Sequence, residues 1–212
     1  NFCPLRGSEV RDPRIWSHFL ADAVERFGAK TEVLTAQHHW PTWGRDNVTD
    51  FLERQRDLYK HIHDQTVRLM NHGWRPAEIA EVLDLPPSLQ QDWRMRGYYG
   101  TVKHNAKAIY QTYMGWFTGN PALLDPLPER EVAMRSIELM GGVDAVVAKA
   151  QGLFTEVDGM PADAVNKEYR WIAQLLNQAV FAEPDHSEAR ALLAKTYDQL
   201  GYQAESAPWR DF

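Results

Sequence analysis

A single cysteine in 212 residues, Cys3, excludes an internal disulfide, so packing and hydrogen bonding must hold the chain together. No apolar run approaches the roughly 20 residues a membrane span needs. Nor is there a basic excess: 23 Lys and Arg stand against 29 Asp and Glu, interspersed, for a net charge of -6. That balance lacks the basic stripe a phosphate backbone demands and argues against a nucleic-acid partner. The first residues, NFCPLRGSEVRD, have no initiator Met and lack the basic-then-apolar order of a signal peptide. The expectation is a piece of a longer chain. What is present, 44% hydrophobic and 25% charged residues, describes an ordinary globular polypeptide with material for one good core or two small ones.

Local patterning is mainly helical. Asp12-Pro13 caps a segment with apolar residues at Ile15, Phe19, Ala23 and Phe27, closed by Gly28. The β-formers of Thr31 to Gln37 follow, predicting a strand that either lies at an edge or has lost its neighbours. Together they read as a helix-strand unit, the tail of an α/β layer. After Trp43-Gly44 a long helix is predicted to about His72, with Phe51, Leu58, Ile62 and Leu69 at helical spacing. Short helices follow around 75–83 and 86–93. Beyond Asn120-Pro121 the composition shifts to Ala, Leu, Glu and Gln, and helices are predicted at 129–140, 142–157, 161–182 and 185–200. The order Ala179, Pro184, Ala189, Leu193, Tyr197, Leu200-Gly201 and Ala204 follows tetratricopeptide grammar. One such unit cannot bury its own face and must stack on other helices or on another chain.

Chemistry-bearing residues are confined to the first 120 positions. The expected strand ends at His38-His39, and either imidazole is a candidate metal ligand; a packed, hydrogen-bonded structural pair is the alternative. His61 and His63 lie two apart on the long helix, aimed at different faces, and are expected at a surface or interface. Arg68 lies among Val67, Leu69 and Met70, where a guanidinium wants an anion, or else snorkels to water. Gly97 and Gly100 bracket Tyr98-Tyr99, and the helix beyond carries His104 and Asn105 in its first turn, a combination suited to sulfate or phosphate. A tyrosine-rich packing corner accounts for the same residue types.

Four long phrases in order, QHHWPTWG at 37–44, RDLYKHIHDQTVRLMNHG at 56–73, RGYYGTVKHNAKAIYQTYMGWFTGNPA at 96–122 and LGYQAESAPWRDF at 200–212, closely resemble the alkylsulfatase family with a metallo-β-lactamase-type catalytic domain. The resemblance implies a mainly α chain: residues 1–45 as the helix-strand remnant of an αββα catalytic domain, and 46–212 as a helical, tetratricopeptide-like dimerisation domain. It implies a homodimer, and hydrolysis of sulfate monoesters of fatty alcohols such as dodecyl sulfate by a parent enzyme with two zinc ions. His38 would be a zinc ligand, with His39 and Trp40 its structural neighbours. His104 would donate a proton, and Arg68, Tyr99 and Asn105 would contact the substrate. The family's H-x-H-x-D-H signature occurs nowhere in the 212 residues, so the chain alone is expected to be metal-free and inactive. A periplasmic or secreted parent is favoured over a cytoplasmic one. The competing reading is a stand-alone tetratricopeptide-like interaction module.

Overall fold

The computed structural model describes residues 1–212, the side chain of residue 163 excepted. Two compact units divide at the Asn120-Pro121 punctuation, Asn1–Asn120 and Pro121–Phe212. The first unit therefore contains both sides of the boundary expected at residue 45.

In the first unit α1 (Pro13–Phe27) starts where the sequence places its cap: Asp12 accepts hydrogen bonds from the backbone N–H groups of Arg14 and Ile15 at 2.8 and 3.2 Å. Ile15, Phe19 and Phe27 point outward, Phe19 and Phe27 being 62% and 59% exposed, while Pro13 and Ser17 are buried and α1 lies along α2 (Arg45–Asn71). The large side chain that meets α2 is Trp16, its ring 5.5 Å from that of Tyr59, and the close backbone approach comes at the helix end. A Cβ on Gly28 would come within 3.3 Å of Thr49 Oγ1 on α2.

The strand expected over 31–37 shrinks to β1 (Val33–Leu34), and it is not an orphan. It pairs antiparallel with β2 (Thr42–Trp43), Val33 opposite Trp43 and Leu34 opposite Thr42. The intervening residues 35–41 form the turn that carries both histidines. Gly44, at φ 86°, closes the hairpin by donating to Glu32 O at 2.8 Å and starts α2 immediately afterwards.

Helix α2 runs 27 residues and buries Val48, Phe51, Leu58, Ile62 and Leu69. Against it pack α3 (Pro76–Val82), whose Arg75 N–H is capped by Glu78 at 2.7 Å, and α5 (Val102–Met114). A short α4 (Pro87–Gln90) and a 3-10 turn, Trp93–Met95, link them. His63 departs from expectation: it is 8% exposed, with Nδ1 2.8 Å from Asp64 Oδ1 and Nε2 2.7 Å from the Tyr113 hydroxyl. It joins α2 to α5 because its face of α2 is the one α5 covers.

A four-residue ion cluster fixes the 3-10 turn on α2. Arg94 grips Asp92 with two bonds, Nε to Oδ1 at 2.9 Å and Nη2 to Oδ2 at 2.6 Å, and reaches Asp50 at 2.6 Å. Arg54 bonds Asp50 at 2.9 Å and lies 3.4 Å from Asp92. The paired fork geometry is the strong form of such a contact.

The second unit is helical throughout: α6 (Glu129–Leu139), α7 (Val143–Glu156), α8 (Ala162–Ala182), α9 (Ser187–Gln203) and a short α10 (Ala207–Arg210). Gly142, at φ 97°, makes the reversal between α6 and α7 that an L side chain would strain. Its core joins Val146, Ala150, Tyr169, Ile172, Leu176 and Leu192. Helix α8 packs on α6, α7 and α9. His186 caps α9, Nδ1 accepting from Ala189 N–H at 3.2 Å while Nε2 donates to Asp144 on α7 at 3.0 Å.

Leu176 is fully buried among these helices. Leu176→Ala should lower the unfolding free energy by about 2–5 kcal/mol, the usual cost of a buried cavity; urea denaturation followed by circular dichroism reads it, and an unchanged midpoint would remove Leu176 from the core. In the first unit the Arg94 guanidinium holds the Asp92 carboxyl below its usual value, despite an opposing effect of burial. A carboxyl depressed in the folded state stabilises above its unfolded pKa, about 4, and that contribution disappears as pH falls through the folded value. The melting temperature should therefore drop on acidification below about pH 4, and Asp92→Asn should be less stable at neutral pH with a flatter acid limb.

Candidate functional site

The residues singled out in the first 120 positions do not all converge. His38 sits at the tip of the hairpin turn with φ 64°, in the left-handed region, and its side chain is exposed. Its ring stacks on Tyr99, centroids 3.9 Å apart and planes 11° from parallel. Among the described residues neither ring nitrogen of His38 has a hydrogen-bond partner. His39 points the other way. Its ring lies 5.4 Å from Trp93 at 25° and 5.3 Å from Phe51 at 55°, with Nδ1 3.3 Å from Trp40 O. The two neighbouring imidazoles thus have different fates, one packed into the unit and one presented to its surface.

Tyr99 belongs to the bend between the 3-10 turn and α5, and its ring is half-buried. Thr101 accepts from His104 N–H at 3.0 Å and caps α5. His104 and Asn105 then turn toward the N-terminal segment. Asn105 is 5% exposed and its Oδ1 accepts from Phe2 N–H at 2.9 Å. His104 Nε2 meets the carbonyl of Cys3. A carbonyl only accepts, so Nε2 carries the proton and donates it there. Both side chains therefore fasten the N-terminal segment onto α5.

Arg68 stands apart from this group. It is exposed near the end of α2, and its Nε donates to Gln65 Oε1 at 2.8 Å, one turn back on the same helix. The surrounding apolar residues Leu69 and Met70 face α3 and α5 while the guanidinium reaches water. Trp93 and Phe51 are the aromatics that hold His39, and the aromatic density of both segments is the only trace of that contact in the sequence. Among the described residues, no group of three or more His, Cys, Asp or Glu is placed to hold a metal ion. His38 can offer one imidazole nitrogen to an ion and, with Tyr99, one planar wall. Among the described residues no helix is long and apolar enough to cross a membrane.

Comparison with known proteins agrees with the fold. The chain is 49% identical over 211 residues to an alkyl/aryl-sulfatase of Saccharomyces cerevisiae, covering 100% of this chain and 31% of that protein. It is 45% identical over 212 residues to a linear primary-alkylsulfatase of a Pseudomonas species, covering 100% of this chain and 30% of the relative. The solved structure of the stereoselective inverting sec-alkylsulfatase Pisa1, from a Pseudomonas species, superposes with a TM-score of 0.91 at 42% identity, over 100% of this chain and 32% of that one. The chain spans about a third of the length of these relatives. Residues 75–212 match the family described as alkyl sulfatase dimerisation, which is most of the chain, and the chain belongs to that family.

Proposed function

We propose that the chain is part of a zinc-dependent alkylsulfatase that hydrolyses sulfate monoesters of fatty alcohols, such as dodecyl sulfate. In this reading residues 1–45 end a metallo-β-lactamase-type catalytic domain and 46–212 form the dimerisation domain. The observation that carries it is that likeness to proteins named as alkylsulfatases extends over the whole chain, the His38 turn included, and not over the helical part alone.

His38 fits a zinc ligand in chemistry: a solvent-facing imidazole with both nitrogens uncommitted among the described residues. A catalytic zinc takes about three protein ligands plus water, so the remaining ligands of a two-ion centre would come from polypeptide other than these residues. When bound, zinc supplies positive charge that stabilises developing charge on sulfate oxygens and makes water acidic enough to attack near neutral pH. This chain's own residues bind and orient. Tyr99, in contact with His38, is the best placed of the proposed substrate contacts. His104, proposed as proton donor, already directs its Nε2 proton at the Cys3 carbonyl, and Asn105 is committed to Phe2. For both to meet substrate, the N-terminal segment would have to yield. Arg68 would act only if the alkyl sulfate extends to the far end of α2.

The partner we propose is a second copy. Leu139, Trp171 and Tyr202 leave apolar surface uncovered on the second unit, as expected of a helical domain that pairs.

In the full-length protein, His38→Ala should lower bound zinc and dodecyl sulfate hydrolysis together by at least about tenfold, since even outer-shell changes cost that much. Metal analysis beside the activity assay reads both, and intact zinc stoichiometry would exclude His38 as a ligand. Light scattering after size exclusion should give a dimer mass for the 212-residue chain at micromolar concentration. A monomer there would count against pairing through these residues.

A further inference from the structure

A metal-binding histidine usually has its second ring nitrogen held by a carboxylate or carbonyl, which sets the ring's orientation. His38 has no such partner among the described residues, yet a ligand must be held within about 0.5 Å of its working position. Its ring plane is instead fixed by stacking on Tyr99 at 3.9 Å and 11°. A parallel stack restricts rotation about the outer side-chain torsion while leaving both edge nitrogens open. We propose that Tyr99 is a positioning residue for His38, acting through the face of its ring rather than through its hydroxyl. The proposal rests on the reading of His38 as a zinc ligand.

Both halves of the stack are built to be rigid. On the Tyr99 side the bend is pressed against the N-terminal segment, so closely that a Cβ on Gly100 would lie 2.8 Å from Cα of Asn1. That segment is fastened in turn by the Phe2–Asn105 and Cys3–His104 hydrogen bonds. On the His38 side the hairpin turn is anchored one residue later, where His39 packs on Trp93 and Phe51. Trp93 is held because its neighbour Arg94 grips Asp92 and Asp50 on either side. Neither the turn nor the bend can drift without breaking the His39–Phe51 and Phe2–Asn105 contacts, so the stack presents one imidazole at one angle before any ion arrives. Such preorganisation removes side-chain entropy that ion binding would otherwise have to overcome.

The test uses the full-length zinc-loaded protein, with zinc affinity from chelator competition and the absorption spectrum of the cobalt-substituted form. Tyr99→Phe should keep both. Tyr99→Leu should weaken zinc binding roughly 10–100-fold and change the cobalt spectrum, with an unchanged melting temperature. The proposal is overturned if Tyr99→Leu matches wild type in both readouts, or if Tyr99→Phe is as damaging as Tyr99→Leu. His38→Ala, run beside them, separates the two layers: zinc retained in that variant overturns the ligand reading and the positioning role with it, whereas zinc lost there with normal Tyr99→Leu overturns the positioning role alone. A measurement free of variants covers the event that Tyr99→Leu does not fold. In the 212-residue chain the carbon-bound ring protons of His38 should resonate upfield of those of exposed His72, through the ring current of Tyr99; equal shifts would also overturn the proposal.

Discussion

A buried phenyl ring drags its own backbone into the interior, and that backbone must find partners. Phe2 is fully buried, touching Tyr59 at 5.3 Å and Trp16 at 6.4 Å, so its N–H has left water. Left unmet, such a donor costs about 1–3 kcal/mol. Asn105 meets it, His104 takes the neighbouring Cys3 carbonyl, and the first turn of α5 becomes the dock for the first residues of the chain. The bend that carries Tyr99 leads directly into that turn, so its place is decided by the same bonds. The surface around His38 thus depends on the satisfaction of one buried amide.

Helices were legible wherever a local rule decided the outcome. Asp12-Pro13 and Arg75-Pro76 mark starts that the structure reproduces, and the double glycine at 141–142 marks a reversal. Helices α6 to α9 fall within a few residues of their expected bounds because punctuation and periodicity agree there. Legibility failed where the decision was made by a distant neighbour. Ile15, Phe19 and Phe27 form a good apolar stripe, but α2 meets another face of α1, where Trp16 packs on Tyr59. His63 reads as a surface residue until α5, 50 positions further on, brings Tyr113 to its ring. The hairpin partner of Val33-Leu34 is illegible because two-residue strands carry no periodicity.

The site shows the same division. Its chemistry was readable, since an imidazole at a turn and tyrosines between glycines are uncommon combinations. Its geometry was not. Nothing in the spacing says that His38 and Tyr99, 61 positions apart, stack face to face, or that His104 and Asn105 serve the N-terminal segment. Residue types announce which atoms are available; tertiary packing decides which of them remain uncommitted. Both ring nitrogens of His38 are without a partner among the described residues, while His39, His61 and His63 each have one ring nitrogen near a partner, and the buried Nε2 of His39 has none.

The left-handed backbone at His38 has an evolutionary corollary. A non-glycine residue there costs on the order of 1 kcal/mol relative to a glycine, so drift toward glycine would relax the turn and leave the hairpin intact. The same replacement would delete the imidazole. Selection for stability and selection for chemistry therefore pull this codon in opposite directions, and a natural variant with glycine at 38 would be a well-folded protein that had given up whatever the ring is for.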